Sequence, residues 1–289
     1  MSVQSGNAHA VLLISCPDRK GLVARISDFV FHHSGNILHA DEHIDDEAGL
    51  FLMRVEWDMA GFGLAREAIQ SSFQPLASEL ALDWQLHFSD ARPRGAIFVS
   101  KYDHCLQDLL YRFRSGELAA EFSLVISNHP DLRGLVESHG LEFMVFPVTA
   151  ETKRAQEEAV RAELARREIG FIVLARYMQI LTQDFVRHYP NRIINIHHSF
   201  LPAFAGPKPY HQAYRRGVKL IGATSHYVTG ELDGGPIISQ DAVRISHRDS
   251  VHDLIRKGRD LERVVLARAV RAHLEHRVLV YGNKTAVFD

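Results

Sequence analysis

Between residues 96 and 196 five apolar runs recur, AIFVS, FSLVIS, LEFMVFPV, FIVLA and RIINI, with helical segments between most of them, including the charged stretch 151–167. Runs this uniformly apolar leave no wet face. They predict strands covered on both sides, hence a doubly wound α/β architecture with a mostly parallel sheet between layers of helices. Ligands of such sheets sit beyond the carboxyl ends of the strands. The segment that follows RIINI is therefore the first place to look for chemistry.

The first ninety residues keep a different rhythm. AVLLIS, residues 10–15, predicts a strand closed by the turn residues of CPDRKG. Leu22, Val23, Ile26, Phe29 and Val30 then fall on one helix face, and Ser34-Gly35 ends that helix. Strands over 36–43 and 50–57 follow. A second helix through Leu64, Ala68, Ile69, Phe73, Leu76 and Leu80 leads into the strand LDWQLHF. The order β-α-β-β-α-β predicts a ferredoxin-like sandwich. SDARPRG reads as a linker, so the expected division is a domain of residues 1–88, a linker 89–94 and a second domain 95–289.

Composition narrows the function classes. The chain has 289 residues, 46% hydrophobic and 24% charged, as expected of a soluble globular protein with room for two cores. A net charge of −2 without a basic block gives nucleic acid no electrostatic footprint. Two cysteines, Cys16 and Cys105, are too few for a disulfide framework and point to a reducing compartment. MSVQSGNAHA lacks a signal-peptide pattern, and no apolar stretch reaches the length of a membrane span. The expectation is a cytoplasmic protein without a membrane partner. There are 18 histidines but no HExxH or comparable ligand spacing, so no metal is expected.

After RIINI comes INIHHSFLPAF. Residues two apart share a side of a strand, so Asn195 and His197 should project together, with Ile196 and His198 on the other side. An amide donor beside an imidazole is an oxyanion-stabilising pair for acyl transfer. The same residues also suit a turn cap and a hydrogen-bonded core histidine. Further on, IGATSHYVTGELDGGPIISQ places Asp233 in a Gly-rich loop between two apolar runs. That carboxylate could orient His197 and a water, or simply belong to an Asp-Gly hairpin turn.

Together, Asn-x-His with Ser-Phe-Leu-Pro and, downstream, His-Tyr-Val and Leu-Asp-Gly-Gly-Pro-Ile-Ile resemble the formyltransferase family over roughly residues 95–281. The resemblance implies the formyltransferase fold and a one-carbon formyl group carried by formyltetrahydrofolate. It also implies the catalytic set Asn195, His197 and Asp233. ARYMQIL resembles the family's folate-binding strand end, which implies substrate contacts at Met178, Gln179, Ile180 and Leu181, with Gln179 contacting through its backbone. His226 resembles a supporting position of the site. His198, where transformylases have proline, is assigned to the substrate pocket. No separate cofactor is implied, since the folate is the substrate. The first domain resembles an ACT domain, on PDRKGL and SGNI. That implies an amino-acid effector such as glycine or methionine near Asp18, Gly21 and Asn36, and a homo-oligomer.

Members of the family differ in the acceptor. Those acting on glycinamide ribonucleotide hold its phosphate in a Gly-rich loop, because backbone N–H groups must come close to it. Here that loop reads Ser100, Lys101, Tyr102, Asp103, His104. Those acting on tRNA carry a basic C-terminal domain, which is not expected in a chain ending at Asp289. An ACT-like segment together with His-His-Ser-Phe-Leu-Pro resembles the deformylase branch. This implies a hydrolase that yields formate and tetrahydrofolate, the formate feeding one-carbon and purine metabolism. Water would attack the formyl carbon, and the oxyanion would be held by the Asn195 amide and a protonated His197. The alternatives are formyl transfer to glycinamide ribonucleotide and a non-catalytic folate or amino-acid sensor.

Overall fold

The computed structural model describes residues 8–203 and 209–289. The first seven residues, where no targeting pattern is expected, and the end of INIHHSFLPAF lie outside them.

The first unit contains β1 (His9–Pro17), α1 (Leu22–His32), β2 (Asn36–Asp45), β3 (Leu50–Asp58), α2 (Arg66–Leu80) and β4 (Asp83–Phe88). The strands form one antiparallel sheet in the order β2-β3-β1-β4, the ferredoxin-like arrangement that the element order predicts. Side chains alternate across the sheet. Ala10, Leu12, Ile14 and Cys16 of β1, with Phe51, Met53, Val55 and Trp57 of β3, share a core with Ile26 and Val30 of α1 and Ile69 and Phe73 of α2. Leu13 and Leu52 point the other way, yet they too are buried.

The second unit holds β5 (Arg94–Val99), α3 (His104–Arg114), β6 (Glu121–Ser127), α4 (Arg133–Ser138), β7 (Glu142–Val145), α5 (Lys153–Arg166), β8 (Phe171–Leu174), α6 (Gln183–Val186) and β9 (Ile193–His197). It continues with α7 (Pro209–Arg216), β10 (Leu220–Tyr227), β11 (Ile237–Arg244) and α8 (Val251–Leu274). The sheet order is β11-β10-β9-β8-β5-β6-β7. The five strands from β9 to β7 are parallel, and β10 and β11 join antiparallel at one edge. The chain winds outward from β5 through β6 to β7, then returns to β8 on the other side of β5. The carboxyl ends of β5 and β8 therefore diverge, which opens a crevice at that switch point.

One boundary differs from the expected division. The hairpin β12 (Val278–Tyr281) and β13 (Lys284–Val287) lies in Glu275–Asp289, which clusters with the residues up to Ala91 and not with Arg92–Leu274. Leu279 and Phe288 cover Leu13 and Leu52. Arg54 donates to the carbonyl of His276 at 3.1 Å, and Lys284 and Tyr281 each reach Asp45 at 3.1 Å. A second apolar layer on β1 and β3 explains why β1 reads as an uninterrupted apolar run.

The sequence's two tryptophans, Trp57 and Trp84, both lie in the first unit, so their fluorescence reports on it alone. Phe288 is 3% exposed. Phe288→Ala should cost the first unit about 3 kcal/mol in urea titrations followed by tryptophan emission. A change under about 0.5 kcal/mol would mean that the hairpin adds nothing to this core.

Candidate active site

At the switch point the ends of three parallel strands line a cleft of ≈ 660 Å³. That is ample for a folate-sized ligand. Tyr102 and His104 reach it from beyond β5, Arg176 to Leu181 from beyond β8, and Asn195 to His198 from the end of β9.

The segment beyond β8 is pinned at both ends. The amide of Met178 donates to Ser100 Oγ at 2.9 Å, and that hydroxyl donates to Asn128 Oδ1 at 2.7 Å. Thr182 donates its amide to Glu157 at 3.0 Å and its hydroxyl to the other oxygen of the same carboxylate. Between the pins, Met178 and Ile180 stand 53% and 61% exposed, and Lys153 holds the carbonyl of Ile180. Gln179 and Leu181 complete this wall. An exposed apolar rim on a fixed backbone suits a flat heterocycle, contacted by side-chain carbon above and backbone polar atoms below.

The catalytic candidates come together across a strand pair. β10 runs antiparallel to β9 with His226 directly opposite Asn195, and the side chains of such a pair meet. Nδ1 of His226 donates to the carbonyl of Tyr227 at 2.9 Å, which leaves Nε2 to accept from Asn195 Nδ2 at 3.2 Å. The amide is thereby oriented, with its second N–H left for a ligand. Burial lowers the pKa of His226, only partly offset by the Tyr227 carbonyl, and a neutral ring is what this acceptor role needs.

Asp233 arrives from the loop joining β10 to β11. It sits at φ 54, a left-handed conformation that aspartate tolerates better than most residues. One carboxylate oxygen is 3.2 Å from His197 Nδ1 and 3.8 Å from His226 Nε2. The hydrogen bond from His197 holds Asp233 below its ordinary value, against the upward push of burial. His197 is 7% exposed, and its Nε2 is buried without a hydrogen-bond partner among the described residues. Buried polar atoms are rarely left so, and at a reaction centre this one offers a position to a reacting group.

His198 departs from the alternation argument, which sent it to the far side. β9 ends at His197, so the period of two stops there, and His198 turns into the cleft with its ring centroid 5.2 Å from that of His197. The following loop is clamped by Thr224, which donates to the carbonyl of Ser199 at 2.8 Å and accepts from the amide of Leu201 at 3.0 Å. Burial, and after it the charge of Arg176, lowers the pKa of His198 to about 3.

Beyond His198 lies a polar cluster that the sequence reading did not single out. Glu262 on α8 is 1% exposed. It accepts from His104 Nε2 at 2.8 Å and from the Tyr210 hydroxyl at 2.6 Å, and Arg176 Nε lies 3.5 Å away. Burial raises its pKa, but the bond from His104 and the charge of Arg176 outweigh that and keep it lowered. Arg176 itself takes φ 64, and it and Arg259 lie over the ring of Tyr102 at 5.3 and 5.5 Å. Gly258, one turn before Glu262, makes room for Tyr210, since a Cβ there would stand 2.1 Å from its hydroxyl. A signal was present in the sequence: Leu254, Gly258 and Glu262 follow one another at helical spacing on the buried face of α8, where a lone acid needs a partner. His104, Cys105 and Glu262 could offer a metal ligand atoms within 4.8 Å of one another, but the adjacent guanidinium competes for the same carboxylate charge.

The proposed effector residues are not gathered in one chain. Gly21 caps α1 at φ 90 with no side-chain cap, and the amide of Asp18 donates to the carbonyl of Gly49 at 3.0 Å. Asn36, however, pairs with Asp58, which pairs with His9, so it lies at the opposite end of β1 from Asp18. At a rise of about 3.3 Å per residue the two ends are separated by about 26 Å. Helix α1 carries the chain back along the sheet before Asn36 is reached.

Asn195, His197 and Asp233 thus meet at the carboxyl edge of a doubly wound sheet, and residues 93–270 match the formyl transferase family. The chain is 60% identical to the formyltetrahydrofolate deformylase of Synechocystis sp., over 98% of this chain and 99% of that one. Its identity to the formyltetrahydrofolate deformylase of Bacillus subtilis is 49%, over 96% and 93% of the two chains. The crystal structure of a formyltetrahydrofolate deformylase from Pseudomonas syringae superposes with a TM-score of 0.96 at 48% identity, covering 99% of this chain and 96% of that one. The chain belongs to the formyltetrahydrofolate deformylase family.

Because the folded pKa of Asp233 is depressed, its bond to His197 adds stability above the ordinary aspartate value of 3.8, and that contribution is lost as the pH falls through the depressed value. Carboxyl carbon shifts followed by NMR should place the Asp233 midpoint below 3.8, and His197→Ala should raise it, because burial then faces less opposition. An unchanged midpoint in the variant would separate the two residues.

Proposed function

We propose that the protein hydrolyses formyltetrahydrofolate to formate and tetrahydrofolate. The observation that supports this most directly is the joint placement of Asn195, His197 and Asp233 at one mouth of the cleft, in a chain whose relatives are named for that deformylation. The pterin lies along Met178 to Leu181. The formyl oxygen points at the free N–H of Asn195 and at His197. As water attacks, charge grows on that oxygen, where a fixed amide and a protonated imidazole stabilise it more than they stabilise the planar formamide. Asp233 is ionised, holds His197 and accepts from the water. The folate nitrogen takes up a proton as it leaves, which turns a poor leaving group into a neutral amine.

Transfer to an amine is disfavoured by the contents of the cleft beyond His198. Tyr102, Arg176, Tyr210 and the buried Glu262 line the space a bulky acceptor would need. The reaction belongs to one-carbon metabolism, and its formate can feed purine synthesis. No helix among the described residues is long and apolar enough to cross a membrane. Buried, unpaired Cys16 and Cys105 suit a reducing cytoplasm. The first unit acts as a regulatory module in a homo-oligomer. Its uncapped α1 offers backbone N–H groups to the carboxylate of an effector such as glycine or methionine. The separation of Asp18 from Asn36 means that a site using both draws Asn36 from a second copy.

Purified protein incubated with formyltetrahydrofolate alone should release formate, and added glycinamide ribonucleotide should not be formylated. Turnover that requires the ribonucleotide would replace hydrolysis by transfer. Asp233→Asn should lower kcat at least ~10²-fold while tetrahydrofolate binding largely survives. Near-normal turnover in that variant would remove Asp233 from the mechanism.

A further inference from the structure

Attack on a formyl carbon requires a water whose lone pair is aimed, and aiming it means giving both of its O–H bonds an acceptor. Asp233 supplies one. Two other side chains able to accept near the end of β9 are already engaged. His226 Nε2 accepts from Asn195, and Glu262 is buried and takes hydrogen bonds from His104 and Tyr210. Glu231 lines the cleft but is exposed to solvent, and the Thr229 hydroxyl is turned back on the Glu231 backbone.

His198 is buried enough to be fixed and is not engaged in this way. Its ring lines the cleft beside His197, with the Tyr210 ring 5.9 Å away at an edge-on 61°. Neither of its nitrogens has a hydrogen bond to the described residues, and neither is among the fully buried atoms lacking a partner. The ring is also held in place, by the Thr224 clamp behind it and by Tyr210, which is fixed to Glu262.

We propose that His198 is a catalytic residue that accepts a hydrogen bond from the second O–H of the attacking water, so that Asp233 and His198 together point the oxygen at the formyl carbon. This rests on the hydrolase reading and adds to it the residue that favours water as acceptor. In the step, the water oxygen bonds to the formyl carbon and the bond from that carbon to the folate nitrogen breaks. The proton on the Asp233 side passes to the leaving nitrogen. The proton facing His198 stays on the product, which leaves as formic acid and ionises to formate. His198 keeps no proton. Its low affinity for one, set by burial and Arg176, keeps its lone pair available across the physiological range.

The test compares the full-length protein with His198→Phe and His198→Leu, which remove the acceptor, and with His198→Gln, which returns one on an amide oxygen. Formate release gives kcat and KM, calorimetry gives the affinity for tetrahydrofolate, and circular dichroism shows which variants fold. Both apolar variants should lose ~30-fold or more in kcat with KM and tetrahydrofolate affinity within ~3-fold, and His198→Gln should recover most of the loss. The proposal is overturned if a folded apolar variant keeps kcat within ~3-fold, if the loss falls in KM instead, or if His198→Gln is as slow as the apolar variants. Wild-type protein that releases no formate overturns the hydrolase reading itself, and does so before any variant is compared.

Discussion

The site depends on one strand pairing. Had β10 joined β9 in another register, His226 would face a different neighbour and the Asn195 amide would turn freely. The observed register sets His226 against Asn195, and the same hairpin returns Asp233 to His197. A shift of one residue would move every side chain of β10 to the other face. Thr224, one turn of the pleat away, uses that register to clamp the loop carrying His198. Asn195, His197, Asp233 and His198 are thus all positioned through a single ladder. Preorganisation of this kind spares the reorganisation cost that water would incur around a developing charge.

The second constraint is electrostatic. Placing Glu262 at 1% exposure costs several kcal/mol unless partners replace its water shell. His104, Tyr210 and Arg176 do so, and they come from three separate segments of the second unit. Such a network is a poor source of net stability but a strong source of geometry, because removing one member strands the others. It fixes Tyr210 against His198, and it presents to the cleft a wall of ring faces and compensated charge. Arg176 contributes twice, balancing Glu262 and helping keep His198 neutral.

Much of the fold was legible because the signals are local. Apolar alternation on β1, the helix face of α1 and the near-continuous runs of β5, β6 and β8 depend on residues a few positions apart. Two readings failed for the same reason: each extended a local rule past the point where it applies. The period-two argument was carried one residue beyond β9, and it misplaced His198. The second domain was run on to Asp289, although the burial of Leu13 and Leu52 calls for a cover that the first ninety residues alone do not supply.

The sequence by itself determined the element order, the two chain rhythms and the spaced motif carrying Asn195, His197 and Asp233, since periodicity and spacing are written along the chain. Only the tertiary structure decided which groups touch. Asn195 and His226 are 31 positions apart, His104 and Glu262 158, and Arg54 and His276 222. Contacts of that range arise from the order of strands in a sheet and the packing of α8 over it, and sheet order has no local signature. The same holds for Asp18 and Asn36: near in the chain, they are held at opposite ends of the sheet by the direction in which α1 runs.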